Sequence, residues 1–272
     1  MATGSEAVTE GAAKKDYIME HLLDSPELHL PPPWHHLHLP NFELFGIDVS
    51  ITRHVVMMWV AALILIVTFT VTTRRRGLVP SGLSNALEAI VQYVREEIAV
   101  PNIGKNEAAR FMPFLLTVFF FILTCNLLGL VPYGSTATGN VSVTAGLALC
   151  AFITIQLGGI LQNGLFGYFK GLVPHGLPLP ITLLMIPIEV IGLLAKPFAL
   201  CIRLFANMTA GHVIILALLG LIFLFESLVV APVSVAFALA IYLLEIFVAL
   251  VQAYIFTMLS AVFIGMAVHQ DH

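Results

Sequence analysis

ITLLMIPIEVIGLLAKPFALCIRLFANMTAGHVIILALLGLIFL, residues 181–224, decides how this chain folds. The run is apolar almost throughout and has no strong helix breaker after Pro197. Roughly 40 residues of helix extend about 60 Å, twice the hydrocarbon thickness of a bilayer. Residues 230–268 are apolar over a similar length. Two such helices must tilt steeply, curve or partly leave the bilayer. Two short spans with a re-entrant turn in each would be the other solution. No Gly/Pro/Asn turn cluster interrupts either run, so a long tilted helical hairpin is expected.

The rest of the chain has the same character. Its 272 residues are 59% hydrophobic and 10% charged, against about 25% charged in soluble domains. A polytopic all-α membrane protein is expected, not a globular enzyme. Five spans are read at about 54–73, 111–131, 141–166, 181–224 and 230–268, forming a membrane domain over 51–272. Residues 83–100 differ: Leu83, Leu87, Ile90, Val91, Val94 and Ile98 recur at helical spacing, with Glu88, Gln92, Arg95 and Glu96 on other faces. That pattern predicts an amphipathic helix in the interface or against the bundle, ended by Pro101 and Gly104. Gly158 and Gly159 predict a close helix contact. Cys125, Cys150 and Cys201 all lie in apolar runs and read as packing residues. Residues 1–50 form a polar extension, in which His29 to His38 is rich in His and Pro. A Pro-stiffened, extended surface segment is the plainer reading there, and metal binding the other.

Basic residues set the expected orientation. Arg74, Arg75, Arg76, Arg95, Lys105 and Arg110 follow the first span, and with five crossings in all the loop bearing Lys170, after the third, falls on the same side. The loops 132–140 and 220–231 lack Lys and Arg. The N-terminus is therefore expected outside, despite Lys14 and Lys15, and the C-terminus in the cytoplasm. Residues 1–25 lack a signal-peptide apolar region and the Arg-rich look of a transit peptide, so a bacterial plasma (inner) membrane is the simplest compartment.

Charge inside the spans is where chemistry is expected. Glu189, Lys196 and Arg203 are seven apart, and seven residues of helix turn through about 700°, close to two full turns. The three share nearly one face, which Asn207 extends. On the last helix Glu245 and Gln252 are also seven apart, with Tyr242 nearby. A guanidinium keeps its proton in proteins, and at mid-membrane it costs roughly 2.5–3.5 kcal/mol on insertion scales. Along the axis Glu189 lies inward of Arg203 by about 21 Å and His212 outward by about 13 Å. His212 and Glu245 should meet on the outer side, and Gln252 should approach the level of Arg203 and Asn207. Two proton-capable clusters flanking one permanent cation suit two half-channels that do not join. Other readings stay open for several of these residues. Lys196 and Glu189 suit a simple ion pair, or snorkelling near Pro187. Gln252 suits interhelical packing and His212 a hydrogen-bonded core histidine. Glu226 reads as solvated at the outer turn.

At these residues the sequence resembles the F-type ATP synthase subunit a family. Ile188 to His212, IEVIGLLAKPFALCIRLFANMTAGH, resembles the family's signature around its essential arginine. Leu250 to Phe256, LVQAYIF, resembles the partner segment on the last helix, and Asn126 to Pro132, NLLGLVP, a weaker third motif. The resemblance covers roughly residues 50–270. It implies that Arg203 faces the carboxylates of a rotating c-ring, and that Asn207 and Gln252 support the arginine or line the outer path. His212 and Glu245 would then form the outer half-channel and Glu189 would mark the inner one. The order His212 first and Glu245 second reverses the acid and histidine of some members, which leaves open which residue captures the proton first. It further implies peripheral-stalk subunit b as a partner beside the c-ring and lipid, and protons as the transported ion. No cofactor, metal or nucleic acid is expected, and no phosphate-cradling Gly-rich Lys motif is present. A secondary transporter is the alternative, but no internal repeat relates the two halves.

Overall fold

A computed structural model describes residues 27–29, 36–38, 43–44, 47–48, 50–74, 82–131, 136–171, 179–225 and 230–269. The expectations for Lys14, Lys15, Arg75, Arg76, Glu226, the side chains of residues 29–38 and that of Lys170 fall outside these. Two short antiparallel ladders lie in the extension: β1 (Glu27–His29) pairs with β2 (His36–His38), and β3 (Glu43–Leu44) with β4 (Ile47–Asp48).

Five helices are long and apolar enough to cross a membrane. They are α1 (Arg53–Arg74), α4 (Lys105–Gly129), α5 (Val141–Gly171), α6 (Leu179–Phe225) and α7 (Val230–Val268), and the fold is a polytopic helical one. Between α1 and α4 lie α2 (Leu83–Tyr93), a π-helical stretch (Val94–Ala99) and the one-turn α3 (Val100–Ile103). Pro101 is accommodated in the first turn of α3, where its missing N–H is no loss. The stop comes at Gly104 with φ +93°, a backbone conformation only glycine adopts without strain. The apolar face packs rather than floats: Leu87, Ile90 and Val91 are half-buried, and Val94 and Ile98 fully so. Leu83 is the exception, at 64% exposure. The extra residue of the π turn keeps Arg95, Glu96 and Glu97 outward while Ile98 and Ala99 stay in.

Two compact units can be distinguished: residues 1–61, 125–140 and 205–249, and residues 62–124, 141–204 and 250–272. The second carries an apolar core in which Ile98, Ile103, Leu115, Ile122, Leu200, Leu204 and Phe256 are almost wholly buried. Phe69 and Phe120 meet edge to face there at 5.1 Å. The first unit holds seven of the eleven buried polar side chains among the described residues: Arg53, His54, Asn126, Thr136, Thr138, Ser234 and Glu245.

The two long helices run unbroken. α6 passes through Pro187 and Pro197 for 47 residues, and α7 for 39. Helix α5 instead kinks at Gly164, where φ is +71°. The kink returns buried Tyr168 onto Gly159, and a Cβ at Gly158 would meet the Phe111 ring at 2.9 Å. Small residues make these approaches possible, as expected where lipid offers no hydrophobic drive between helices. At Gly265 of α7 a Cβ would run into the carbonyl of Asn102, a backbone atom that cannot swing aside. Gly265→Ala is therefore expected to lower stability by about 1–3 kcal/mol. Gly192→Ala on α6, where nothing lies within 4 Å, should be neutral or gain up to about 1 kcal/mol of helix propensity. Thermal unfolding of the purified chain in detergent compares the two.

Candidate functional site

Helices α6 and α7 bring His212 and Glu245 together. Nδ1 of His212 lies 3.0 Å from Oε1 of Glu245, and Glu245 is only 4% exposed. Nδ1 also lies 3.1 Å from the Met208 carbonyl, while Nε2 lies 3.1 Å from the Gly129 carbonyl and 3.0 Å from Oγ1 of Thr136. Carbonyl oxygens only accept, so with Nε2 donating to Gly129, Nδ1 is left between the Met208 carbonyl and the Glu245 carboxylate. One further proton then has two homes. It sits on Nδ1 facing a carboxylate, or on the carboxyl, which donates it to Nδ1. The carboxylate is well within reach of the ring but imperfectly aligned, since neither of its buried oxygens makes a hydrogen bond of good geometry. An isolated buried carboxylate is strongly unfavourable, so a proton moving between the two groups keeps the site closer to neutral at each step.

Packing around the pair is specific. Gly211 precedes His212, and a Cβ there would collide with the Glu245 carboxylate. A Cβ on Gly129 would likewise strike the Thr136 side chain that reaches His212. Tyr242 donates its hydroxyl to the Leu130 carbonyl at 2.6 Å. The final carbonyls of a helix lack intrahelical partners. Gly129 and Leu130, at the end of α4, are met by His212 from α6 and Tyr242 from α7 respectively. Behind them Thr138 donates to Oδ1 of the buried Asn126 at 2.6 Å, and Asn126 to the Ala249 carbonyl at 3.5 Å.

Arg203 is exposed on the surface of this chain, as is Asn207 one turn on. The opposite side of α6 is the packed one: Leu200, Cys201, Leu204 and Met208 are buried. Apart from Asn207, the exposed neighbours of the arginine include the apolar Phe198 and Ile202. Gln252 of α7 is 2% exposed. At the other end of α6, Glu189 and Lys196 line a cavity of about 240 Å³ together with Gln156, Tyr168, Phe263 and His269. The Lys196 ammonium lies over the Phe263 ring at 5.3 Å, and among the described residues it forms no ion pair with Glu189. Thr136, Tyr168 and His269 carry no sequence pattern that marks them, and Asn126 and Gly211 lie in motifs that do not show what they touch. Each matters because of a side chain distant in the sequence.

The ATP synthase A chain family model matches residues 55–265. The chain belongs to this family. An ATP synthase subunit a from Chloroherpeton thalassium is 53% identical over 93% of this chain and 77% of its own length. The subunit a of Myxococcus xanthus is 51% identical over 93% of this chain and 88% of its own length. That of Chlorobium phaeobacteroides is 50% identical over 97% and 79%. In this ATP synthase A chain, the His212–Glu245 contact generates a direct prediction. Glu245→Gln keeps the side-chain shape but cannot take the proton from Nδ1. Proton-driven ATP synthesis in membrane vesicles is expected to fall about a hundredfold, the lower end of what an acid–base group contributes. Gly211→Ala, which pushes the carboxylate off its seat, should reduce the same rate at unchanged complex content. Adding it to Glu245→Gln should cost little more, because both remove one contact.

Proposed function

We propose that this chain is the non-catalytic stator subunit of the ATP synthase membrane sector, conducting protons through two offset half-channels separated by Arg203. The observation that carries the reading is the exposure of Arg203 on a largely apolar helix surface, with Asn207 the exposed polar residue one turn on. A cation presented outward at membrane depth needs an acidic partner there, and among the described residues no carboxylate of this chain pairs with it. The partner is the carboxylate carried by each subunit of a neighbouring c-ring. The His212–Glu245 pair serves the outer half-channel, and the cavity holding Glu189 and Lys196 the inner one. Asn207 and Gln252 support the arginine or line the outer path. The chain is multi-pass, and its setting is a bacterial inner membrane with the N-terminus outside and the C-terminus cytoplasmic. Subunit b of the peripheral stalk holds it against rotation.

The mechanism follows from electrostatics. Opposite Arg203 a c-ring carboxylate is stabilised as the anion, so its proton leaves into one half-channel. Before that carboxylate can turn into lipid it must take a proton from the other half-channel, because a bare carboxylate in hydrocarbon is costly. The fixed guanidinium repels protons and closes the direct route. Each proton moving through 100 mV releases about 2.3 kcal/mol, and with the direct route shut that energy drives rotation. The proton pair at His212 favours H⁺ over Na⁺ as the ion.

Arg203→Ala is expected to abolish ATP-driven proton pumping in inverted membranes while the complex assembles normally. Passive proton conductance, measured on the same membranes with ATPase inhibited, should rise or persist. Pumping at the normal rate in that variant would end the proposal. Glu189→Gln should slow pumping by about tenfold or more if the carboxylate exchanges protons, and an unchanged rate would remove this cavity from the proton route.

A further inference from the structure

The cavity beside Glu189 is closed on one side by a residue that has so far carried no role. His269 follows the last residue of α7. Its backbone N–H donates to the Gly265 carbonyl at 2.8 Å, continuing the helix by one bond. Its ring turns to α3, where Nε2 donates to the Ile103 carbonyl at 2.7 Å. The ring packs beside Gly104, where a Cβ would sit at contact distance, 3.4 Å from Nε2. The ring is thus held in one orientation and one tautomer. Nε2 keeps its hydrogen on a carbonyl that has nothing to give back, and Nδ1 remains the nitrogen that can gain and lose a proton. This same residue lines the cavity shared by Glu189, Lys196, Tyr168 and Gln156.

We infer that His269 is the proton-exchange group at the mouth of the inner half-channel, passing protons at Nδ1 between the cavity and the aqueous phase. The inference rests on the half-channel reading of that cavity. Three titratable side chains face the cavity with His269: Tyr168 from α5, and Glu189 and Lys196 from α6. Imidazole is the side-chain type that exchanges protons most evenly near neutral pH, whereas phenols and ammoniums hold theirs and carboxylates have usually lost theirs. The step is balanced and simple. A proton shed into the cavity binds Nδ1, giving an imidazolium whose Nε2–H stays on Ile103, and Nδ1 then releases it to bulk water. In pumping, the same two transfers run in reverse. No ring flip is needed, because one nitrogen does both.

His269→Gln tests this, because its amide keeps an N–H for the Ile103 carbonyl but cannot titrate. In inverted vesicles containing the whole ATP synthase, ATP-driven pumping should fall about tenfold. That is less than the hundredfold or more supplied by an acid–base group acting alone, because water also reaches this cavity. Free imidazole added on the cytoplasmic face should restore much of the rate to His269→Gln and leave the parent protein unchanged. A full rate in His269→Gln overturns the inference, and so does a slow rate that imidazole leaves untouched, since a clamp alone would not respond to a buffer. His269→Ala, which also removes the clamp, should lose rate and complex content together. Glu189→Gln in the same assay separates the two levels. If it pumps normally, the half-channel reading of the cavity fails. If it is slow while His269→Gln is normal, only the role of His269 fails.

Discussion

A charge that cannot be neutralised, carried on an apolar helix, constrains everything around it. Arg203 keeps its proton whatever its surroundings, so the chain must supply it with a counter-charge, with water or with a partner. The fold does not bury it. Leu200, Cys201, Leu204 and Met208 anchor one side of α6 in the packed interior and leave the arginine on the other. The 2.5–3.5 kcal/mol that such a group costs at mid-membrane is a sizeable part of a typical net stability of 5–15 kcal/mol. A side chain that expensive, aimed away from its own protein, suits the interface with an acidic partner proposed for it.

The two proton-handling clusters are built differently, and the difference matches the tasks proposed for them. The His212–Glu245 contact is the tighter of the two, with the imidazole side chain 29% exposed and the carboxylate side chain 5%. Its carboxylate is almost wholly buried, its imidazole is held on both nitrogens, and the end of α4 depends on the same ring for a carbonyl partner. Such a site can pass one proton only through a defined pair of atoms. The Glu189 cluster lines open space instead, with an ammonium resting on an aromatic face and a histidine at the helix end. Water can take part there. A closely packed relay limits leakage, and an open vestibule makes exchange with the surrounding solution fast.

The spans were legible from composition and length, because a hydrocarbon slab about 30 Å thick leaves few alternatives to apolar helices. The heptad stripe was legible as well, since helical periodicity places Glu189, Lys196 and Arg203 on one face whatever they touch. The pairing of His212 with Glu245 followed from counting residues along two antiparallel helices. What could not be read is what crosses between helices. Thr136 lies 76 positions from His212, and nothing in its loop announces that its hydroxyl reaches the ring. Gly211 reads as one more small residue until the carboxylate pressed against it is known. Pro101 looked like a terminator, yet a one-turn helix accepts it in its first turn and Gly104 makes the stop. The π stretch at Val94–Ala99 adds a residue per turn that no apolar pattern of this length reveals.

Close packing and proton transfer meet at the same positions for one reason. A proton relay needs donor and acceptor near 3 Å, and a membrane barrier needs no continuous water between its two faces. Both requirements call for backbones that approach closely enough to exclude solvent while a few polar side chains still touch. Glycine at 211 and 129 provides that approach beside the His212–Glu245 pair, where a Cβ would displace the carboxylate or the threonine. Gly265 does the same below the level of Gln252, where α7 meets α3. Larger residues at these sites would open the helices, admit water and loosen the relay together. At Gly211 and Gly129 the small residues therefore set the geometry of the proposed proton path as much as the titratable ones do.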